Sequence, residues 1–151
     1  MWEADTPDYC RPLPGHKTGN YLGCWLALQA ASRAGAQEAI LIDAQGCWLE
    51  TSTGNLWGWA DERWWTPPLD TGILPGVLRS RLLQGLKSQG HTVQTTAWTP
   101  DQVNGFTFLA YTNSVFEVVP IHTVLRGQAP VDYNPDHEKL QQLQRAWQSA
   151  S

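Results

Sequence analysis

The sequence predicts an α+β domain in which strands outnumber helices. Short apolar or alternating runs predict strands, and longer segments with apolar residues at helical spacing predict helices. The two kinds of element do not alternate strictly along the chain, which argues against a doubly wound sheet. With 151 residues, the chain is long enough for one domain with its own hydrophobic core.

The first part of the chain predicts one helix and two pairs of strands. Residues 1–16 carry three prolines and are predicted to be an extended lead-in without a pattern of their own. A helix is predicted to begin near residues 18–20 and to end at Gly35. Its apolar face consists of Tyr21, Leu22, Trp25, Leu26 and Ala30. The strands that follow are at residues 39–42 and 47–50, joined by a turn at 43–46, and at 55–59 and 63–66, joined by a turn at 61–62.

The remainder predicts three further helices and three strands. One helix begins after Pro75 and Gly76 and is closed by Gly90, and its buried stripe consists of Val77, Leu78, Leu82 and Leu86. Thr99 is predicted to cap a second, with Pro100 at the first position and Gln102 completing a capping box. The last opens at Asn134-Pro135, so residues 134–151 are predicted to be the C-terminal helix of the same domain. The strands are at residues 92–98, 106–111 and 117–125, the last followed by a turn at 126–128.

Composition excludes several classes of protein. A net charge of −4 and an isoelectric point near 5.4 argue against nucleic acid or an anionic membrane as the main partner. No apolar stretch is long enough for a membrane span, and the first residues do not have the pattern of a signal peptide. The histidines share no ligand spacing, so no metal site is predicted. An odd number of cysteines without a CxxC pair favours a reducing cytoplasm: Cys10, Cys24 and Cys47.

Four segments carry the functional information. They are residues 17–22 (KTGNYL), 50–57 (ETSTGNLW), 66–79 (TPP to LPGVLR) and 112–121 (TNS to VPI). In this order and at these separations they resemble the class IV aminotransferase family, which includes branched-chain and D-amino acid aminotransferases and 4-amino-4-deoxychorismate lyases. The resemblance implies the large domain of a fold-type IV pyridoxal 5′-phosphate (PLP) enzyme, a mixed sheet or pseudo-barrel with flanking helices. Residues 17–133 would then be the PLP-binding domain.

The resemblance also implies two reactive groups. Lys17 matches the catalytic lysine that binds the cofactor covalently, a role that needs an amine which is neutral for part of the time. Partial desolvation beside an apolar helix would favour the neutral amine. Glu50 matches the carboxylate that faces the pyridine nitrogen and keeps it protonated, so that the ring can accept electrons from the substrate.

The other matches concern the cofactor's phosphate and phenolic oxygen. Gly76, Val77 and Leu78 match the turn whose backbone amides hold the phosphate at a helix start. Many relatives have threonine at the position of Leu78, so a hydroxyl contact is expected to be lost. Asn113 and Ser114 match a second phosphate contact from the opposite side. Tyr21 either reaches the phenolic oxygen or belongs to the core.

The segment at residues 112–114 looks more like the lyases than the branched-chain enzymes. The resemblance therefore implies conversion of aminodeoxychorismate into 4-aminobenzoate and pyruvate, a step of folate biosynthesis. A branched-chain or D-amino acid aminotransferase is one alternative, and a non-catalytic remnant that folds and binds a partner is another. A weaker hypothesis is that the nine tryptophans form a face that stacks on sugars or rings.

The resemblance implies a smaller N-terminal domain that we expect this chain to lack, because only sixteen residues precede Lys17. That domain supplies an arginine to the phosphate and one wall of the substrate pocket in the family. Three explanations stay open: a fragment, a separate polypeptide for the other half, or lost activity. The expected partners are a small amino acid-like substrate and either a second copy of the chain or a separate N-terminal half.

Overall fold

Two five-stranded sheets and four α-helices make up the domain in the computed structural model, which describes residues 1–127 and 129–149. The helices are α1 (Leu22–Arg33), α2 (Val77–Ser88), α3 (Pro100–Val103) and α4 (Glu138–Ser149). The strands are β1 (Trp2–Glu3), β2 (Ala39–Ile42), β3 (Trp48–Thr51), β4 (Asn55–Ala60), β5 (Arg63–Trp65), β6 (Val93–Gln94), β7 (Phe108–Asn113), β8 (Glu117–Pro120), β9 (Thr123–Arg126) and β10 (Ala129–Asp132). No helix in the described part is both long and apolar enough to span a membrane.

The first sheet has the strand order β10-β9-β1-β2-β3 and joins distant parts of the chain. Its central strand β1 is parallel to both β2 and β9, with Trp2 opposite Ala39 on one side and Leu125 on the other. Residues 1–16 are therefore more than a lead-in, since they contain this strand and a 3-10 helix at Pro7–Tyr9. A strand of two residues has no periodicity that a sequence pattern could show.

The second sheet has the order β6-β5-β4-β7-β8 and is antiparallel except between β5 and β6. Asp61 and Glu62 both have positive φ, 49° and 56°, as the predicted turn between β4 and β5 requires. The tryptophans of these strands are packing residues: Trp57 and Trp64 are fully buried together with Phe108, against leucines of α2 and α4.

Two predicted strands differ in the structure. The strand predicted at residues 117–125 is divided, because β8 ends at Pro120 in one sheet and β9 begins at Thr123 in the other. The strand predicted at 92–98 is reduced to β6 and a single bridge between Trp98 and Trp48. In the predicted turn at 126–128, Gly127 has a φ of 54°, while Gln128 lies outside the described residues. The sequence did not predict β10.

Helix α1 packs with the face opposite to its large apolar residues. It begins at Leu22, later than predicted, and Gly35 follows its end with a φ of 79°. The buried residues are small, Cys24, Ala27 and Ala31, and they allow a close approach to Ala39 and Leu41 of β2. The larger side chains of the predicted face are exposed, at 62% for Leu22, 49% for Trp25 and 41% for Leu26.

Helices α2 and α4 pack closely against each other and against the second sheet. Leu78, Leu82 and Leu86 are buried as predicted, whereas Val77 is 67% exposed. A Cβ atom on Gly85 would lie 2.2 Å from the carbonyl oxygen of Ala146 in α4, so the close contact requires glycine. The terminal helix begins at Glu138 rather than at residue 134, and residues 150–151 of the predicted range lie outside the described part.

Candidate active site

A cavity of about 460 Å³ lies between strand ends of both sheets and the N terminus of α2. Its size is in the usual range for sites that bind small molecules. The structure brings together around it every residue that the sequence analysis named for cofactor binding: Lys17, Tyr21, Glu50, Gly76, Val77, Leu78, Asn113 and Ser114.

The Glu50 carboxylate is fixed at the cavity by two hydrogen bonds. Its side chain is 2% exposed, Oε1 lies 2.7 Å from Nε of Arg11, and Oε2 accepts a hydrogen bond of 3.1 Å from the backbone N–H of Leu74. Burial raises the pKa of Glu50, while the Arg11 guanidinium opposes that rise by favouring the carboxylate. Both oxygens are therefore held in one orientation by groups of this chain.

Arg11 is the main site residue that sequence reasoning missed. It lies in the proline-containing segment before Lys17, its side chain is only 6% exposed, and its guanidinium carbon is 5.9 Å from the ring centroid of Tyr21. The pairing joins positions 39 residues apart. The sequence contains no signal for this pairing, because Arg11 lies in a segment without periodicity.

Lys17 lines the cavity but is exposed to solvent. The partial desolvation expected for its amine is therefore not provided by the described residues. Its positive charge does act on Glu50, since with Arg11 it opposes the rise that burial causes in the pKa of that carboxyl. The amine and the carboxylate thus line one cavity, the amine exposed and the carboxylate buried.

Tyr21 is half-buried beside the same cavity. Its hydroxyl donates a hydrogen bond of 3.0 Å to the backbone carbonyl of Ser52, and burial raises the pKa of the phenol. The hydroxyl is therefore uncharged near neutral pH, and its oxygen can still accept a hydrogen bond. The two interpretations of Tyr21 are compatible, because it supports the β3–β4 turn and also lines the cavity.

The first turn of α2 presents backbone donors at the cavity. Gly76 is the N-cap and no side chain caps the first turn, while Val77 and Leu78 line the cavity. The first N–H groups of a helix have no intrahelical acceptor and favour an anion. The Leu78 side chain is buried in the core, so this residue offers only its backbone to the cavity.

Glycine at position 76 is required by a close neighbour. A Cβ atom there would lie 2.2 Å from Oδ1 of Asn55, a buried residue whose Nδ2 donates to the carbonyl of Leu74 at 2.9 Å. Asn55 lies inside one of the matched segments, and it holds the chain that leads into α2 against β4.

The turn between β7 and β8 forms the opposite wall. Oδ1 of Asn113 accepts hydrogen bonds from the backbone N–H groups of Val115 at 3.0 Å and Phe116 at 2.9 Å, so this side chain builds the turn. Ser114 is exposed at the cavity and keeps its hydroxyl available. Val115 and Phe116, which the sequence analysis did not name, are also exposed there, at 78% and 66%.

These features define a class of protein: an α+β domain with a small-molecule site that combines an amine, a fixed carboxylate and free helix N–H groups. The model of the family described as amino-transferase class IV matches residues 3–124. The chain belongs to the class IV aminotransferase family, which confirms the resemblance found in its motifs.

Two curated relatives illustrate the similarity. Aminodeoxychorismate lyase of Vibrio harveyi is 27% identical over 121 residues, which are 80% of this chain and 45% of that protein. Branched-chain-amino-acid aminotransferase of Escherichia coli (strain K12) is 27% identical over 123 residues, which are 82% of this chain and 40% of that protein. The chain spans about half the length of the curated relatives it matches.

Solved structures confirm the predicted fold. A protein of Legionella pneumophila assigned as a 4-amino-4-deoxychorismate lyase superposes with a TM-score of 0.88 at 22% identity, over 99% of this chain and 55% of that one. The T.th. branched-chain amino acid aminotransferase complexed with N-(5′-phosphopyridoxyl)-L-glutamate gives 0.82 at 24%, over 98% of this chain and 49% of that one. The domain therefore has the fold-type IV architecture, with mixed sheets and flanking helices.

Proposed function

We propose that this chain is the cofactor-holding part of a PLP-dependent enzyme of the aminodeoxychorismate lyase type. One observation carries the proposal: Lys17, Glu50 and the N terminus of α2 line a single cavity. The T.th. relative supports it, since that protein was solved with a phosphopyridoxyl compound.

The groups around the cavity fit PLP chemically. An amine can hold an aldehyde carbon covalently, an anionic carboxylate can accept a proton shared with a pyridine nitrogen, and helix N–H groups can bind a phosphate. The close contact between Gly76 and Asn55 leaves no room for a side chain where the phosphate would approach the backbone. PLP, when bound, supplies a protonated ring that withdraws electrons from the substrate's Cα.

Each residue of the chain would then have a defined role. Lys17 would hold the cofactor, and its Nζ would move the proton that leaves the substrate's Cα. Glu50 keeps the pyridine nitrogen protonated, and Arg11 with the Leu74 N–H fixes its orientation. The amides of Val77 and Leu78 and the hydroxyl of Ser114 would hold the phosphate.

Two observations favour one substrate. The lyase from Vibrio harveyi and the TNS run at residues 112–114 favour aminodeoxychorismate, with 4-aminobenzoate and pyruvate as products. The match to the aminotransferase of Escherichia coli, at the same identity, favours branched-chain amino acids as the second candidate. The two reactions begin alike at Cα, so the described residues serve either one.

A further polypeptide segment is proposed to cover the cavity. Lys17 is exposed, and apolar side chains are exposed both on α1 and at the β7–β8 turn. Contiguous exposed apolar surface marks interaction sites in soluble proteins. We propose that the occupant is the N-terminal half that the longer relatives have. A homodimer of this chain is the competing outcome, and the mass in solution with and without a supplied N-terminal domain separates the two.

Covalent capture of the cofactor tests the proposal. The chain has three lysines, so PLP followed by borohydride and peptide mass spectrometry is expected to place the pyridoxyl group on Lys17. Lys17→Ala should abolish the yellow colour, and Lys87→Ala, a change at an exposed lysine of α2, should leave it intact. Labelling spread equally over the three lysines would contradict the proposal and favour a non-catalytic domain.

Single-turnover assays separate the candidate substrates. Aminodeoxychorismate, branched-chain amino acids and D-alanine are supplied to the PLP-loaded chain, with and without an N-terminal domain. Formation of 4-aminobenzoate in the presence of that domain is the expected result. Ketoacid formation from the amino acids would favour the aminotransferase, and no turnover in any condition would count against an enzyme.

A further inference from the structure

Glu38 is a buried carboxylate to which the proposed chemistry assigns no task. It is the residue before β2 and is 6% exposed. None of the ion pairs among residues 1–127 and 129–149 includes it. Burying a carboxylate without a cationic partner is costly unless hydrogen bonds satisfy both of its oxygens.

Hydrogen bonds from the β3–β4 turn and from the first residue of β2 satisfy this carboxylate. Oε1 accepts from the hydroxyl of Ser52 and from the backbone N–H of Ala39, the latter at 2.9 Å, and Oε2 accepts from the hydroxyl of Thr53. The backbone N–H of Ser52 also donates to the carbonyl of Ala39 at 3.0 Å. Glu38 therefore fastens the β3–β4 turn, residues 52–54, to the start of β2.

Two hydrogen bonds connect this turn to residues of the candidate site. Thr53 lines the cavity, and its Oγ1 accepts a hydrogen bond of 3.4 Å from Nδ2 of Asn113. The carbonyl of Ser52 accepts from the hydroxyl of Tyr21. Because the Thr53 proton is donated to Glu38, its oxygen can only accept from Asn113, and this directs the amide oxygen of Asn113 toward Val115 and Phe116.

We propose that Glu38 is a positioning residue that sets the Asn113–Ser114 wall for a phosphate through the hydroxyl of Thr53. The inference rests on the proposed function, since it assumes that this wall faces the phosphate of PLP. A carboxylate suits the role because it is acceptor-only, whereas a glutamine would offer one donor to the same hydroxyls. Ser52 shares the carboxylate but does not line the cavity, so it serves as an internal control.

The test compares PLP with pyridoxal, which has the aldehyde and ring but no phosphate. Equilibrium dialysis of the whole chain gives both dissociation constants, and their ratio is the phosphate preference. Glu38→Gln and Thr53→Val are expected to lower this preference about tenfold, the effect of weakening one hydrogen bond to a charged group. Thr53→Ser keeps the hydroxyl and should keep the preference. Ser52→Ala should reduce thermal stability, as Thr53→Val does, but should leave the phosphate preference unchanged.

The outcomes separate this role from the proposed function. Two results would overturn the positioning role while the proposed function stands. In one, Thr53→Val keeps the preference of the wild type for PLP. In the other, Ser52→Ala lowers that preference as much as Thr53→Val does. If wild type binds neither compound, the proposed function fails and this role fails with it. Thr53→Val and Thr53→Ser decide the matter even if Glu38→Gln does not fold.

Discussion

The floor and the mouth of the cavity are built differently. The floor consists of Glu50, Arg11 and Asn55, all of which are buried or nearly so and hydrogen-bonded to other parts of this chain. The mouth consists of Lys17 and the β7–β8 turn, where Ser114, Val115 and Phe116 are exposed. The floor is therefore held by contacts within this chain, whereas the mouth is open to solvent, and the proposed covering segment would lie there.

Breaking the ion pair of the floor should have the largest effect. Arg11→Met would leave the buried Glu50 carboxylate without its cation and is expected to cost about 3–5 kcal/mol. Urea unfolding of the chain alone measures the loss. A cost below about 1 kcal/mol would mean that the Arg11–Glu50 pair stabilises the chain no more than an exposed ion pair does.

The same variant has a predicted pH dependence. Burial raises the folded-state pKa of Glu50, and removal of Arg11 raises it further because the opposing charge is gone. Between the unfolded and folded pKa values the native state binds more protons, so stability increases as pH falls through the folded value. The deficit of Arg11→Met should therefore shrink toward acidic pH, and Arg11→Lys is the control that keeps the charge.

A methyl group on Gly76 tests the floor at its tightest contact. Gly76→Ala places a Cβ against Oδ1 of Asn55 and is expected to cost about 1–3 kcal/mol, as overpacking does in well-packed sites. Gly15→Ala is a matched change at a cavity-lining glycine whose Cβ would have nothing within 4 Å. Equal stability of the two variants by thermal unfolding would contradict the contrast.

The smallest effect is expected at the mouth. Phe116→Gln should change the free energy of unfolding of the isolated chain by less than about 0.5 kcal/mol, since this side chain lines the cavity, is 66% exposed and lies outside the core clusters. It should weaken association with a supplied N-terminal domain, which sedimentation can measure. A large loss of stability in the isolated chain would show that this side chain packs within the chain and is not free to contact a partner.

Elements with a local signal could be predicted from the sequence. The β4–β5 pair follows from alternating residues around a turn, and α2 from apolar residues at helical spacing after a Pro-Gly entry. The α1 face shows the limit of this reasoning, because spacing reveals an apolar stripe but not which neighbour covers it. The small residues Cys24, Ala27 and Ala31 pack inward instead.

The same limit applies to the candidate site, which could be predicted from the sequence only in part. The side chains and backbone donors named in the sequence analysis lie in contiguous motifs, so the motif match could predict that they share one cavity. The Arg11–Glu50 pair and the Glu38 contacts join segments that only the folded sheets bring together. The division of residues 117–125 between two sheets likewise depends on pairing partners elsewhere in the chain.

The place of β1 has a consequence for the order of folding. This strand lies between β2 and β9, so the first sheet joins residues 2–3 to residues 123–126. During synthesis the β4–β5 hairpin can form from adjacent residues, whereas the pairing of β1 with β9 must wait until nearly the whole domain has left the ribosome. Closure over such a sequence separation is slow, and the early strands stay exposed to other chains in the meantime.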